Sequence, residues 1–399
     1  MATTPAPRWS DPAGPTLPRH YLDHASTSPP RPEVVAAVMR WLESSGGLVG
    51  DPGRVHSEGR AVRAAVEAAR EQVAALLGTR PRQVVFTSGG TEAVNAAVWG
   101  ATRARPGRPT VLADVEHSSV REASARAGPV VAVAVDGTGR IHPAVVEEAL
   151  DRARRDGPGA ALAHCQAANH EVATTQPVAE VVEVCRRHDV VVHVDACAAA
   201  GHVPLALDDL GADLVSVSAH KLGGPPGIGA LVVRRGTRVD PLLVGGEQER
   251  ARRGGLENVP GILGFGAAAE VLADPGRFGR EAADARRRTA RILQVARSVD
   301  DVTVLGDPDD RVPHVVCIAV GGVEAEPVLL ALDQAGIAAH SGSSCSSESL
   351  APSPVLEAMG ADAERSLRLS VGWSTTDADV DAFAAAFPRV VDQLRALRS

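Results

Sequence analysis

Residues 214–221 read Leu-Val-Ser-Val-Ser-Ala-His-Lys, an apolar run of strand length that ends in a histidine and a lysine, and residues 223–227 then form a Gly-Gly-Pro-Pro-Gly turn. Lys221 is the only lysine among 41 basic residues, which leaves 40 arginines. An arginine guanidinium stays protonated and cannot act as a nucleophilic amine. Lys221 is therefore a candidate for amine chemistry such as a Schiff base. A surface lysine retained by chance is the alternative at this point.

Further apolar runs of strand length lie on both sides of this segment, and helix-length patterns such as Ala61–Leu77 and Val178–His188 separate several of them. The runs are Val84–Thr87, Thr110–Ala113, Val130–Val135, Ala160–Ala163, Val190–Val194 and Gly229–Val233. Strands that alternate with helices indicate a mostly parallel sheet with helices on both faces. Ligands of such sheets bind beyond the carboxyl ends of the strands. The sequence thus predicts an α/β fold with a seven-stranded sheet.

The C-terminal third has a different pattern, which predicts a second, smaller α/β domain. A glycine-rich, hinge-like stretch from Gly245 to Gly266 precedes it. Its predicted elements are a helix at Arg277–Arg297, a strand at His314–Val320, a helix at Pro327–Ala335, a serine-rich loop at Ser341–Ser349, a strand at Ser366–Val371 and a helix at Asp377–Leu397. We expect a flexible extension (1–20), a first part of the small domain (21–35), a large domain (36–270) and the rest of the small domain (271–399).

The composition excludes several classes of protein. The 399 residues carry a net charge of −8, so nothing predicts a surface that binds nucleic acid. No run of about 18 apolar residues is present, which argues against a membrane span. The five cysteines are scattered without a Cys-x-x-Cys pair, so neither a metal site nor a disulfide framework is expected, and a reducing cytoplasm fits best.

Two further motifs contain side chains that could bind a ligand. The strand Val84–Thr87 is followed by Ser-Gly-Gly-Thr-Glu at residues 88–92, where Gly90 and Thr91 could cradle a phosphate at a helix N-terminus. Plain helix capping is the alternative interpretation. Asp195 closes another apolar strand and could pair with a protonated ring nitrogen, although it could equally be a helix N-cap.

A phosphate cradle, a ring-nitrogen carboxylate and a Schiff-base lysine, in this order on an α/β sheet, describe a pyridoxal phosphate site. With these motifs the sequence resembles the class V aminotransferase family of fold type I, and within it the cysteine desulfurases of the NifS/IscS type. The resemblance rests on Tyr21–Ala25, Ser88–Glu92, Glu116–His117, Asn169–Gln176, His193–Asp195, Ser218–Lys221 and Arg365–Gly372. It implies a large domain with a mostly parallel sheet, a smaller α/β domain and a homodimer.

The resemblance also implies roles for individual residues. Lys221 would hold pyridoxal 5'-phosphate covalently, Asp195 would pair with its ring nitrogen, and His117 would stack on the ring and assist proton transfers. The other predicted cofactor contacts are Gly90, Thr91, His170, Ser218 and His220. Asn169, His170 and Arg368 would bind the substrate, with Arg368 clamping its carboxylate.

Residues 341–349 read Ser-Gly-Ser-Ser-Cys-Ser-Ser-Glu-Ser, and Cys345 at their centre resembles the persulfide-forming cysteine of the desulfurases. The resemblance implies that L-cysteine is converted to L-alanine while sulfur passes through Cys345 to an unknown acceptor protein. An incidental loop cysteine is the alternative. Two other functions stay open: another pyridoxal phosphate reaction, such as a selenocysteine or C–S lyase or a secondary-metabolite aminotransferase or epimerase, and a catalytically degenerate scaffold that binds sulfur acceptors.

Three positions depart from the desulfurase pattern. His170 replaces the second of two asparagines before a glutamate, Ala198 replaces a glutamine, and Leu256 replaces a threonine that reaches the neighbouring subunit's phosphate. Loss of these donors should weaken cofactor binding or alter its electronics unless His170 compensates.

Overall fold

The computed structural model of the chain describes residues 18–43, 49–341 and 352–397. The strands within these ranges are β1 His20–Tyr21, β2 Val84–Thr87, β3 Thr110–Ala113, β4 Val130–Val133, β5 Leu162–His164, β6 Val191–Asp195, β7 Leu214–Ser218, β8 Gly229–Val233, β9 Val302–Leu305, β10 Val315–Val320, β11 Ile337–Ala338, β12 His340–Ser341 and β13 Ser366–Ser370. The helices are α1 Pro32–Leu42, α2 Ser57–Leu76, α3 Gly90–Ala104, α4 Ser118–Ala127, α5 Pro143–Asp156, α6 Val178–Arg187, α7 Leu207–Leu210, α8 Gln248–Ala251, α9 Val259–Ala273, α10 Pro275–Arg297, α11 Ala325–Gln334, α12 Pro354–Ala358 and α13 Asp377–Ala396. No described helix combines the length and apolar character that a bilayer span requires.

The central sheet has seven strands in the order β2-β8-β7-β6-β5-β3-β4. Only β8 runs antiparallel to its neighbours, β2 and β7, and the remaining pairs are parallel. The side chains of β7 and β8 are buried along their whole length, as expected where helices cover both faces of a sheet. The predicted fold class, with its mostly parallel seven-stranded sheet, is confirmed.

A second core lies in the C-terminal part of the chain. It is built on an antiparallel sheet of order β12-β13-β10-β9, and a short parallel pair joins β1 to β11. Leu22 packs in the same buried cluster as Phe383 and Phe387 of α13, so the first described residues join the C-terminal core. Ala25 and Val34, in contrast, pack in the large buried cluster of the central sheet, so residues 21–35 contact both cores and the domain boundaries stay a prediction.

The hinge-like interpretation of Gly245–Gly266 is wrong for its second half, because α9 begins at Val259. The glycines there allow close helix packing. A Cβ on Gly266 would lie 2.7 Å from the Cβ of Ala69 on α2, so only glycine permits this approach. Glycine-rich sequence therefore marks a buried helix contact here.

Candidate active site

A pocket of about 240 Å³ opens where the central strands end. Nine of the predicted site residues line it: Gly90, Thr91, His117, His170, Asp195, Ser218, His220, Lys221 and Arg368. They come from segments spread over more than 270 positions of the chain. Parallel strands of the central sheet end at one edge and bring most of them together, and β13 of the second sheet adds Arg368.

Asp195 is the last residue of β6 and is almost fully buried. Burial alone would raise the pKa of its carboxyl. The positive charge that His117 can carry and the backbone N–H of Cys197, 2.9 Å from Oδ1, act in the opposite direction, and the net pKa is lowered. Asp195 is therefore a carboxylate at neutral pH and can pair with a cationic group in the pocket.

Glu116 lies close to Asp195 and behaves in the opposite way. Its pKa is raised to about 8, first by complete burial and then by the charge of Asp195. Its Oε1 accepts a hydrogen bond from the backbone N–H of Gln166 at 2.7 Å. Two neighbouring carboxyl groups thus differ in protonation at neutral pH, with Asp195 charged and Glu116 neutral.

Lys221 stands in a single 3-10 turn, Ala219–Leu222, directly after β7. Its carbonyl oxygen accepts a hydrogen bond from Nε2 of His202 at 3.2 Å, which holds the turn from behind. The neighbouring His220 lies 3.2 Å from the hydroxyl of Thr27, and its pKa is lowered to about 4 by burial and by the charge of Lys221. His220 is therefore a neutral ring at physiological pH.

Ser218, Gly90 and Thr91 form the opposite wall. The Ser218 hydroxyl is buried and has no hydrogen-bond partner among the described residues. A Cβ on Gly90 would lie 2.7 Å from Sγ of Cys197 and 3.4 Å from Cβ of Ser218, so glycine keeps the entrance to α3 open. An unsatisfied donor beside a helix N-terminus suits an anion such as a phosphate.

His117 and His170 both line the pocket and are in edge-to-face contact, with ring centroids 5.0 Å apart. His117 caps α4, because its Nδ1 accepts a hydrogen bond from the backbone N–H of Ser119 at 3.1 Å. Nε2 of His170 lies 3.4 Å from Oε1 of Glu171. Sequence reasoning found both histidines but not the helix cap that His117 forms.

Arg368 is buried on β13 and belongs to a network that links the two cores. Its Nη1 donates to the carbonyl oxygen of His170 at 3.1 Å, and its Nη2 contacts Asp23 at 3.0 Å and Ser26 at 2.6 Å. The guanidinium thus lines the pocket in a fixed position, as a carboxylate clamp requires.

Asn169 is the one predicted site residue of the described ranges that does not line the pocket. It is fully buried, and its side chain bonds to the backbone of Val115, Glu171 and Val172. Its contact with substrate stays a prediction. Cys345 lies outside the described residues.

The departures from the expected pattern occupy different places. His170 and Ala198 both line the pocket. Leu256 is 65% exposed.

Cys197 also lines the pocket, and the pKa of its thiol is raised far above the usual range by burial and by Asp195. It is therefore a protonated thiol.

Sequence reasoning missed a buried imidazole pair beneath Asp195. Nδ1 of His164 lies 2.9 Å from Nδ1 of His193, and the outer ring nitrogens contact Ser124 at 3.1 Å and Ser216 at 2.7 Å. No local spacing signals this contact, because it depends on the register of β5 against β6.

A sequence profile of the aminotransferase class-V family matches residues 20–383. The chain belongs to this family. The predicted family and pyridoxal phosphate as its cofactor are thereby confirmed.

Relatives of the chain extend over nearly its whole length. A cysteine desulfurase IscS of Dictyoglomus turgidum is 36% identical over 388 residues, which cover 94% of this chain and 95% of that protein. A cysteine desulfurase of Trichormus azollae is 39% identical over 386 residues, 94% of either chain. A solved NifS-like protein has a TM-score of 0.84 at 27% identity and covers 94% of this chain and 99% of its own. A structure described as SspA in complex with cysteine has a TM-score of 0.76 at 27% identity, with 88% and 99% coverage.

The residues of this class V aminotransferase fit the family's cofactor. The carboxylate of Asp195, the amine of Lys221 and the open hydroxyl of Ser218 match a ring nitrogen, an aldehyde and a phosphate. The space that glycine preserves at Gly90 admits the phosphate to the N-terminus of α3.

Proposed function

We propose that this class V aminotransferase is a cysteine desulfurase that converts L-cysteine to L-alanine and passes the sulfur to an acceptor through a persulfide on Cys345. The proposal is carried by one observation: Lys221, Asp195 and Ser218 line the same pocket, and the Ser218 hydroxyl has no hydrogen-bond partner among the described residues. The names of the relatives support the choice of L-cysteine as substrate.

Each residue of the pocket has a role in holding the cofactor and the substrate. When bound, pyridoxal phosphate serves as an electron sink for the carbon that bears the amino group. Lys221 would hold it through the amine, and Asp195 through a charge-assisted hydrogen bond to the ring nitrogen. Thr91, Ser218, His220 and the N-terminus of α3 would hold the phosphate. Arg368 would bind the substrate carboxylate.

Sulfur transfer requires a thiolate nucleophile, and we assign this role to Cys345. Its sulfur attacks the sulfur of L-cysteine, so an S–S bond forms as the C–S bond breaks. The electron pair of the broken bond goes to the substrate carbon, which takes up a proton and yields L-alanine. The described thiols are less suited to attack, because burial raises the pKa values of Cys165, Cys185, Cys197 and Cys317.

The chain would act as a homodimer in a reducing cytoplasm and would hand its sulfur to an acceptor protein. Leu243, Val244 and Leu256 are exposed apolar side chains. The family resemblance places the position of Leu256 close to the neighbouring subunit. A contact with a second copy would remove these side chains from water.

The test is alanine formation from L-cysteine by wild type, by Cys345→Ala and, as a matched control, by Cys185→Ala on α6. Alanine from wild type and the control but not from Cys345→Ala supports the proposal. Alanine from all three removes Cys345 from the mechanism and favours a lyase of the selenocysteine type, whereas pyruvate in place of alanine favours a C–S lyase that eliminates sulfide. A cofactor absorption band without alanine favours another pyridoxal phosphate reaction, which His170, Ala198 and Leu256 would shape. Absence of the band favours a degenerate scaffold.

A further inference from the structure

The cap of α4 determines where His117 carries its proton. A backbone N–H can only donate, so the hydrogen bond from Ser119 N to Nδ1 places a lone pair on that nitrogen. The Ser119 hydroxyl, 2.8 Å from the same nitrogen, can donate to it as well, and this arrangement favours a neutral ring with its proton on Nε2. His117 therefore presents a donor from Nε2, and this atom cannot accept a proton unless the cap is broken.

His170 has the opposite arrangement. Its Nε2 lies 3.4 Å from Oε1 of Glu171, and a carboxylate next to a ring nitrogen favours the proton on that nitrogen. The lone pair of the neutral ring is then on Nδ1. His170 is 6% exposed and lines the pocket, so it is partly shielded from bulk water but faces the substrate space.

Glu171 is well suited to stabilise a charged His170. Its side chain is 2% exposed, and its other oxygen, Oε2, accepts a hydrogen bond from the hydroxyl of Ser353 at 2.6 Å. A buried carboxylate held in this way fixes the orientation of the ring and lowers the energy of the imidazolium. Among the described residues, the ionisable groups near His170 also include His117, Glu116 and Arg368, which donates to the His170 carbonyl oxygen.

We propose that His170 accepts the proton of the α-ammonium group of the arriving amino acid, with Glu171 as positioning residue and His117 as hydrogen-bond donor. The N–H bond of the ammonium breaks, its proton moves to Nδ1 of His170, and the electron pair stays on the amine nitrogen. No electron is gained or lost by either partner. The positive charge moves from the substrate to the imidazolium beside Glu171. The inference rests on the proposed function only in requiring an amino-acid substrate.

The step is needed because an ammonium group has no lone pair. Only the uncharged amine can replace Lys221 as the group bound to the cofactor. A base in the pocket removes this barrier, and general acid–base catalysis of this kind contributes factors of about 10² to 10⁴.

The experiment follows cofactor absorbance after rapid mixing of the holoenzyme with one of two probes. L-alanine carries an ammonium group and has no sulfur, so its binding reports the proton step without desulfuration. Hydroxylamine is uncharged at neutral pH and needs no base. The variants are His170→Asn, His170→Phe, which keeps an aromatic ring, and Glu171→Gln. The matched control is His142→Asn at an exposed histidine.

We expect both His170 variants to react with L-alanine about a hundredfold more slowly than wild type and with hydroxylamine at the wild-type rate. Glu171→Gln should show a smaller loss of the same kind, and His142→Asn none. Equal slowing with both probes would mean a structural role and would overturn the proposal, as would wild-type rates with L-alanine. Alanine formation from L-cysteine by wild type is measured separately. Its absence would refute the desulfurase assignment and leave the proton step standing.

Discussion

Ser353 donates its hydroxyl hydrogen to Glu171, with Oγ 2.6 Å from Oε2 and both side chains sealed from solvent. The same hydroxyl accepts a hydrogen bond from the backbone N–H of Leu356 at 3.3 Å and so caps α12. Glu171 adjoins His170 on the pocket wall. The bond therefore ties the helix that follows residues 342–351 to the wall of the active site.

Replacing Ser353 by alanine should destabilise the protein by roughly 2–3 kcal/mol. The variant loses an N-cap and leaves a buried carboxylate oxygen without its donor. The free energy of unfolding in denaturant is the measurement. Ser298→Ala, at an exposed hydroxyl that bonds to Val295, is the control and should change stability by no more than about 0.5 kcal/mol. Equal effects would contradict a special role for Ser353.

Ser218→Ala should have opposite effects on the apoprotein and the holoprotein. The hydroxyl is buried without a partner, so its removal should leave the apoprotein as stable as before or slightly more stable. Loss of one hydrogen bond to the phosphate should weaken cofactor affinity by about tenfold. Fluorescence titration with pyridoxal phosphate measures this loss. Pyridoxal, which lacks the phosphate, should bind both proteins equally, and a parallel loss of its affinity would place Ser218 elsewhere in the site.

Arg70 and Glu249 form a buried, bidentate ion pair with distances of 2.7 and 2.8 Å. Glu249 also accepts a hydrogen bond from the backbone N–H of Phe86 on β2. Glu249→Gln leaves the buried Arg70 guanidinium with only Glu67, an exposed carboxylate 3.1 Å from its Nε, and should cost about 3–5 kcal/mol of unfolding free energy. Glu147→Gln, at the exposed pair with Arg187, should leave the free energy of unfolding nearly unchanged, because water and salt screen the pair. Similar losses would show that burial does not strengthen the first pair.

Much of the large domain could be predicted from sequence because its strands are short, wholly apolar runs. β2 and β8 have the predicted bounds, Val84–Thr87 and Gly229–Val233. The order of the strands could not be predicted, since periodicity reports which residues are buried and not which strand lies beside which. The position of β8 between β2 and β7, for example, is determined by tertiary packing and not by a local sequence pattern.

In the candidate site, too, residues with a local sequence signal could be predicted, and contacts that depend on the order and register of strands could not. Lys221 could be predicted because it is the only lysine of the chain and stands shortly after a strand. Asp195 could be predicted because it is a carboxylate at the carboxyl end of an apolar strand. The contact between His164 and His193 was not predictable, because it joins two strands whose register no local motif records. The cap that His117 forms on the N–H of Ser119 is local, but the sequence does not show that the imidazole replaces a typical N-cap side chain.

Glu116→Gln should make the protein more stable than wild type at high pH and leave its stability nearly unchanged at low pH. The pKa of Glu116 rises from 4.5 in the unfolded chain to about 8 in the native protein, first through burial and then through Asp195. Between these values the native state binds more protons, so the stability of wild type falls as the pH rises from 4.5 to 8. The slope of this contribution approaches about 1.4 kcal/mol per pH unit.

Glutamine imitates the neutral acid and does not ionise, so the stability of Glu116→Gln should lack this dependence on pH. Denaturant unfolding at pH 5 and pH 9 gives the comparison, with Glu147→Gln as the exposed control. A constant difference between wild type and Glu116→Gln at both pH values would show that the Glu116 carboxyl is ionised throughout.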